Sequence, residues 1–240
     1  MDSVALEDPG DAGHSVPDPR PINSPRRKLL RYGFLALVLG GLVAIGWEAC
    51  YVLLGPNFHV VTPYQAYRSG QPKADWLERT IDRHGIRSVV NLRGDGHASA
   101  WYVNERRVAD ERGVEFENVM LSASFAPHQR DLRRLVQVLD NAPRPVLFHC
   151  RSGGDRSGLA AAIFLLLYTD ASLEQARGQL SLRFGHNRYG RSACLHSVLD
   201  QYEQWLTDDS REHRPEHLRQ WIARVYRLPP PASPNLATRM

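Results

Sequence analysis

From residue 56 to residue 228 the apolar positions alternate between two rhythms, which predicts an α/β domain. Residues 73–84, 99–112, 129–141, 172–182, 193–206 and 213–226 read as helices. Leu132, Leu135, Val136 and Leu139 recur at helical spacing, as do Leu195, Val198, Leu199, Tyr202 and Trp205. Between these lie short strand-like runs. Ile86–Leu92 is rich in β-branched residues, Val114–Leu121 alternates, and Val146–Phe148 is apolar throughout. Gly85 and Gly113 stand where two helices should end, since glycine takes the left-handed C′ conformation without a Cβ penalty. Strands separated by helices imply a mostly parallel central sheet flanked by helices. Residues 55–66 read as a linker leading into this domain.

Ahead of it the pattern changes twice. Residues 1–25 are acidic and proline-rich without apolar period, and predict a disordered tail. Arg26, Arg27, Lys28 and Arg31 then precede a run, Tyr32–Leu54, interrupted only by Glu48. A membrane span needs about 20 apolar residues. The segment 26–55 is therefore expected to be one transmembrane helix, crossing through residues 32–54. A helix buried in the following domain is the plainer alternative, but this run is apolar on every face. The basic cluster on its N-terminal side predicts a cytoplasmic N-terminus and a following domain outside the cytoplasm, periplasmic in a Gram-negative cell. The paired arginines weakly resemble a twin-arginine export signal. No small-x-small site closes the apolar run, which favours an uncleaved signal anchor. The proline-rich tail from residue 229 is expected to be disordered.

Composition narrows the partners. The 240 residues carry a formal charge of +4, and 42% are hydrophobic, enough for a real core. Only Lys28 and Lys73 are lysines among 30 basic residues, which suggests a GC-rich, bacterial genome. No aromatic-interleaved basic patch or zinc-finger spacing points to nucleic acid, so the charge better suits an anionic substrate or a membrane surface. Cys50, Cys150 and Cys194 are too few and too scattered for a disulfide framework. Cys194 could act as a resolving thiol for Cys150, or be a small core residue. No metal-ligand cluster is visible, and neither metal nor cofactor is expected.

The chemistry concentrates in residues 145–160. After the strand Val146–Phe148 come His149, Cys150, Arg151, Ser152, Gly153, Gly154, Asp155, Arg156 and Ser157, then the Ala/Leu-rich run Leu159–Tyr168, read as a buried helix. Strand, tight loop and helix in that order converge backbone N–H groups and a helix N-terminus on one point, an anion site. Nearby cations and a helix N-terminus favour a thiolate, the reactive form of cysteine. Cys150 is thus a candidate nucleophile. Arg156 offers a planar fork for two oxygens of a tetrahedral oxyanion. Ser157 can donate to the sulfur, His149 can fix the loop, and Arg151, Ser152, Gly153 and Gly154 complete the phosphate-binding loop. A merely structural buried cysteine would leave the glycines and Arg156 unexplained.

Cys-x5-Arg with His before and Ser after resembles the active-site loop of the cysteine-dependent phosphatases, the protein tyrosine and dual-specificity superfamily. Two further stretches resemble its bacterial dual-specificity-like members: Tyr67-Arg-Ser-Gly-Gln-Pro72, and the strand Gly85-Ile-Arg-Ser-Val-Val-Asn-Leu-Arg93. The resemblance covers roughly residues 64–206. It implies that fold and hydrolysis of phosphate monoesters through a phosphocysteine. Rhodanese-like sulfurtransferases also place a Cys-Arg-Ser-Gly loop between strand and helix, with one residue fewer before the Arg, so sulfur transfer through a Cys150 persulfide is the rival. A non-catalytic phosphate-binding module is a third reading.

The leaving oxygen needs a proton and the intermediate an activated water. Family members usually carry the acid, an Asp, on a separate loop. The corresponding residues 122–128 contain none. Asp155 is the expected replacement, because Cys-x-x-Gly-x-Asp-Arg resembles the loop of myotubularin-type lipid phosphatases. There an Asp at this position is proposed as the acid, and the like charge of a phosphate would raise its pKa. His128 and Asp95 are rivals, and a loop-shaping ion pair is the plainer role. Arg93 or His97 could help hold substrate, with a solvated loop as the even alternative, and the basic loop 183–191 could take a second phosphate, with a solvated connection as the plainer reading. Expected substrates are phosphotyrosine or phosphoserine proteins, or a phosphorylated lipid or inositol. The oligomeric state is not legible.

Overall fold

The computed structural model describes residues 25–228. The tails expected to be disordered, apart from Pro25, lie outside the described residues. Helix α1 (Pro25–Leu54) is a single 30-residue helix. Its stretch Lys28–Leu54 is long and apolar enough to cross a membrane, and its side chains are almost wholly exposed. The chain divides into two units, residues 1–45 and 46–240. Within the second, the last turns of α1 join the domain: Val52 is buried, and the Tyr51 hydroxyl donates to the Phe58 carbonyl at 3.1 Å.

Five strands form one sheet: β1 (His59–Thr62), β2 (Ala66–Ser69), β3 (Ser88–Asn91), β4 (Glu115–Asn118) and β5 (Val146–His149). Their order is β1-β2-β5-β3-β4. All neighbours run parallel except β1 and β2. The sheet is thus mostly parallel, as expected, and the segment 55–66 is not a bare linker but supplies the antiparallel edge strand. The helices are α2 (Ala74–His84), α3 (Ala100–Arg112), α4 (Gln129–Asn141), α5 (Asp155–Tyr168), α6 (Leu173–Arg177), α7 (His196–Asp208) and α8 (Pro215–Gln220). Three expected helices differ. Residues 172–182 hold only the five-residue α6, followed by turns and a short 3₁₀ turn at Leu182–Phe184. The 193–206 helix starts at His196, behind a 3₁₀ turn at Arg191–Leu195. The 213–226 helix ends as a π-helical turn, Trp221–Val225, which sinks Trp221 and Ile222 into the core.

The central strands β2, β3 and β5 are buried along their whole length, so their side chains alternate between two cores. Val146, Phe148, Val90 and Ala66 face a large core built with α4, α5, α7 and α8. Leu147, Val89 and Tyr67 face a smaller one with α2 and α3. Register sets Ser69, Asn91 and His149 side by side at the C-terminal edge. In an open parallel sheet that edge is where chemistry collects, and the Cys150 loop leaves from it.

Candidate active site

Residues 150–154 connect β5 to α5, and every carbonyl from 151 to 154 is held from outside the loop. Gln71 N–H donates to the Arg151 carbonyl at 3.1 Å. Asn57 Nδ2 donates to that of Ser152 at 2.7 Å. Arg68 Nη2 donates to those of Gly153 and Gly154 at 2.8 and 2.9 Å. In a planar trans peptide the N–H points opposite its C=O. The amides of Ser152, Gly153, Gly154 and Asp155 are therefore turned away from these partners, forming an anion cradle at the head of α5. Gly153 is at φ +78°, and a Cβ there would fall 2.6 Å from the Gly70 nitrogen. Only glycine permits so close an approach.

Cys150 is a free, buried cysteine. Its Sγ lies 3.6 Å from the Ser157 hydroxyl in the first turn of α5, the contact expected of a donor to the sulfur. Arg151 and Ser152 are exposed, and Asp155 and Arg156 half-buried. The arrangement can bind a tetrahedral anion on backbone amides and Arg156, against a sulfur nucleophile.

Arg68, Asn57 and Glu105 had no place in the sequence-based site, and His186 entered it only as part of the basic loop 183–191. Arg68 is fully buried, donates also to the backbone and side-chain carbonyls of Gln179 at 2.8 and 3.0 Å, and stacks on Phe184 at 4.4 Å. Burial pulls its pKa down to about 10, against the opposing fields of Cys150 and Asp155. It remains a cation beneath the loop. The signal was present in Tyr67-Arg68-Ser69, but an arginine in a strand reads as outward-facing.

On the other flank His149 is completely buried, with Nε2 3.5 Å from a carboxylate oxygen of equally buried Glu105. Burial pushes the Glu105 carboxyl up to about 8, with the charge of Arg93 opposing. Burial, then Arg93 and Arg156, pull the His149 imidazole down to about 3, against a hydrogen bond with the Cys150 backbone. The contact is therefore between a neutral acid and a neutral imidazole rather than an ion pair. Neither ring nitrogen of His149 meets a partner at full hydrogen-bonding geometry, but the Cys150 backbone is close enough to favour its charged form, so its expected loop-fixing role rests on packing and on that contact. Gln71 bridges Glu105 and Arg93, and Arg93 stacks on Trp101 at 3.9 Å. The fields of Arg156, Arg151 and Cys150 all reach Arg93, which puts it near the loop.

Asp155 opens α5 and its Oδ1 lies 2.7 Å from His186 Nδ1. Burial raises its pKa, but hydrogen bonds from His186 and Ser192 and the charges of His186 and Arg156 outweigh that, so the carboxyl sits below its usual range. The raised value expected from like charge is not what the protein alone imposes. Of the rivals, Asp95 pairs with His97 in an exposed loop. His128 is exposed at the start of α4, with its N–H on Asp131 at 3.1 Å. The Cys194 thiol lies 3.5 Å from the Arg191 carbonyl and is pushed up by burial. Among the described residues no group of three or more His, Cys, Asp or Glu could hold a metal.

Fold and loop together define a cysteine-dependent phosphatase domain. Residues 56–172 match the model of the tyrosine phosphatase family. The resemblance read from the sequence holds across this stretch, and the domain, similar to that family, is a phosphatase, an enzyme hydrolysing phosphate monoesters. No curated protein matches the chain. Among solved structures it is similar to Pseudomonas aeruginosa TpbA, at 20% identity and a TM-score of 0.51 over 70% of this chain and 91% of that one. A Cys-to-Ser variant of TpbA in complex with pTyr matches at 19% identity and the same TM-score and coverage. The core catalytic domain of the Saccharomyces cerevisiae PP-IP phosphatase SIW14, with citrate, follows at 18% and 0.49, over 64% and 93%. At these identities the likeness is one of fold.

Proposed function

We propose that this chain is a membrane-anchored phosphatase that works through a Cys150 phosphocysteine. The Cys150 thiolate attacks phosphorus on the amide cradle, the S–P bond forming as the ester O–P bond breaks. Arg156 and the amides of 152–155 hold the equatorial oxygens as charge develops on them. Asp155 gives its proton to the leaving oxygen, then takes one from the water that attacks phosphorus and frees the thiolate and inorganic phosphate. Ser157 donates to the departing sulfur. The observation that carries this reading is the set of four carbonyls held away from the site, beside a cysteine 3.6 Å from Ser157.

The anchor is the apolar stretch within α1, and the basic residues before it favour a cytoplasmic N-terminus and a catalytic domain on the other side. Substrates would be phosphoproteins or phosphorylated lipids or inositols. The pTyr bound by the TpbA variant makes phosphotyrosine the first to try. The test is hydrolysis of an aryl phosphate by the full chain in detergent with chelator present. Cys150→Ser should abolish turnover, and vanadate should protect Cys150 from alkylation in the parent. A folded parent without phosphatase activity and without vanadate protection would overturn the assignment; persulfide formation from thiosulfate would then be measured.

A further inference from the structure

The polar chain that begins at Asp155 does not stop at His186. His186 Nδ1 faces the Asp155 carboxylate at 2.7 Å, while its Nε2 lies 3.0 Å from Nε2 of His196. His186 is fully buried and His196 is 9% exposed. Both line a cavity of about 540 Å³ bordered by Arg188 and Tyr189, which are themselves exposed. A continuous hydrogen-bonded path thus runs from the reacting end of the loop to a solvent-facing cavity behind it.

Hydrogen-bond chemistry allows this path few states. An ionised carboxylate only accepts, and a neutral imidazole has one donor and one acceptor nitrogen. With Asp155 ionised and both rings neutral, His186 must carry its proton on Nδ1 and accept at Nε2, and His196 must donate from Nε2. Moving each proton one place toward the loop gives the only other satisfied state in which both rings are neutral; an imidazolium His186, donating to both partners, is the charged state between them. Asp155 is then protonated, His186 carries its proton on Nε2, and His196 accepts at Nε2 after taking a proton on Nδ1 from the cavity. One proton enters from solvent, one arrives at Asp155, and both rings end neutral. Plain side-chain anchoring needs only the first of these contacts, and the second, between two histidines, is the one it leaves unexplained.

We infer that His186 and His196 form a proton relay that loads Asp155 from the rear cavity, an inference resting on the reading of Asp155 as the acid. A carboxyl held below its usual range is ionised between turnovers. It must gain a proton when a dianionic phosphate arrives and covers its open side. The groups that share its surroundings are Ser192, Arg156, Arg68 and the Cys194 thiol, and His196 is faced by Arg188, Arg177 and Asp200. Of all these, only His186 is hydrogen-bonded to both Asp155 and a further titratable side chain.

The test compares the full chain with Asp155→Asn, His186→Asn and His196→Ala, using a good and a poor aryl leaving group across pH. His186→Asn keeps an N–H toward Asp155 but cannot pass a proton on; His196→Ala cuts the outer end and touches neither loop nor acid. Both His variants should lose about tenfold or more in kcat for the poor leaving group. They should lose little for the good one, and added imidazole should restore His196→Ala through the cavity. Parental pH profiles and leaving-group dependence in both, beside a leaving-group-dependent loss in Asp155→Asn, would overturn the relay alone. No leaving-group dependence in Asp155→Asn would overturn the acid assignment and the relay with it.

Discussion

The phosphate loop is flanked by two buried polar groups built on opposite principles. On one side Arg68 stays charged because its Nη1 and Nη2 donate to four acceptors, two of them loop carbonyls, with only Nε left without a partner. On the other, Glu105 and His149 are equally buried, but both are neutral and leave ring and carboxyl atoms unpartnered. A buried charge is tolerable when donors and acceptors are matched around it, and otherwise the group neutralises itself. The first flank shapes the loop by direct bonds. The second reaches the loop through the Cys150 backbone beside His149 and through Gln71, whose side chain donates to Glu105 and whose backbone N–H holds the Arg151 carbonyl.

Replacing Arg68 should break the first flank with the largest effect. Arg68→Met would leave the Gly153 carbonyl without its donor, take from that of Gly154 one of two donors (the other is the Gly158 N–H) and unpair part-buried Gln179, at roughly 1–3 kcal/mol for each buried group left unsatisfied. The loop amides would lose their aim, so vanadate affinity and kcat/KM should fall together by about a hundredfold or more. Arg68→Lys should recover only part, since one ammonium cannot reproduce a planar fork. Unchanged vanadate affinity in a folded Arg68→Met protein would mean that the cradle does not depend on this clamp.

Asn57→Ala removes a smaller piece of the same flank. Nδ2 donates to the carbonyls of Ser152 and Phe184, and Oδ1 meets His59. Losing two buried bonds should cost about 2 kcal/mol in stability and about tenfold in vanadate affinity, read by thermal denaturation and titration. Equal losses in Asn57→Ala and Arg68→Met would deny Arg68 its leading part.

What was legible in the chain follows the same division. Helix α4, the two glycine-ended helices α2 and α3, and the Cys150 loop were readable because each is set by local pattern: apolar spacing, C′ glycine, residue types at fixed offsets. Strand β1 was missed because four residues at a sheet edge, following Gly55 and Pro56, carry no period of their own. Helix α6 stops at Gly178, where the chain turns, and the π-helical turn at Trp221 answers to the core it packs into. The roles of Arg68, Glu105 and His186 were missed for one reason. They depend on burial and on partners 31 to 111 positions away, and no local rule places an arginine inside a parallel sheet.

The second flank gives the mildest prediction for activity and the sharpest for pH. A carboxyl that titrates near 8 when folded, against a usual 4.5, holds its proton harder in the fold. Its contribution to stability is full below about pH 4.5 and is lost as pH climbs toward 8. His149, pulled from 6.5 to about 3, acts in the opposite sense: its contribution is full above pH 6.5 and is lost as pH falls toward 3. Between pH 4.5 and 6.5 the two slopes cancel, so this pair should give a plateau with a decline on either side. Glu105→Gln keeps the shape and removes the titration. Its denaturation midpoint, measured against pH beside the parent, should keep rising to about 6.5 and then stay level to 8, where the parent falls. Turnover of the variant at pH 6 should change by no more than about threefold, because Glu105 is neutral there already. Parallel decline of both proteins above pH 6.5 would mean that Glu105 is ionised in the fold and that the two flanks are built alike.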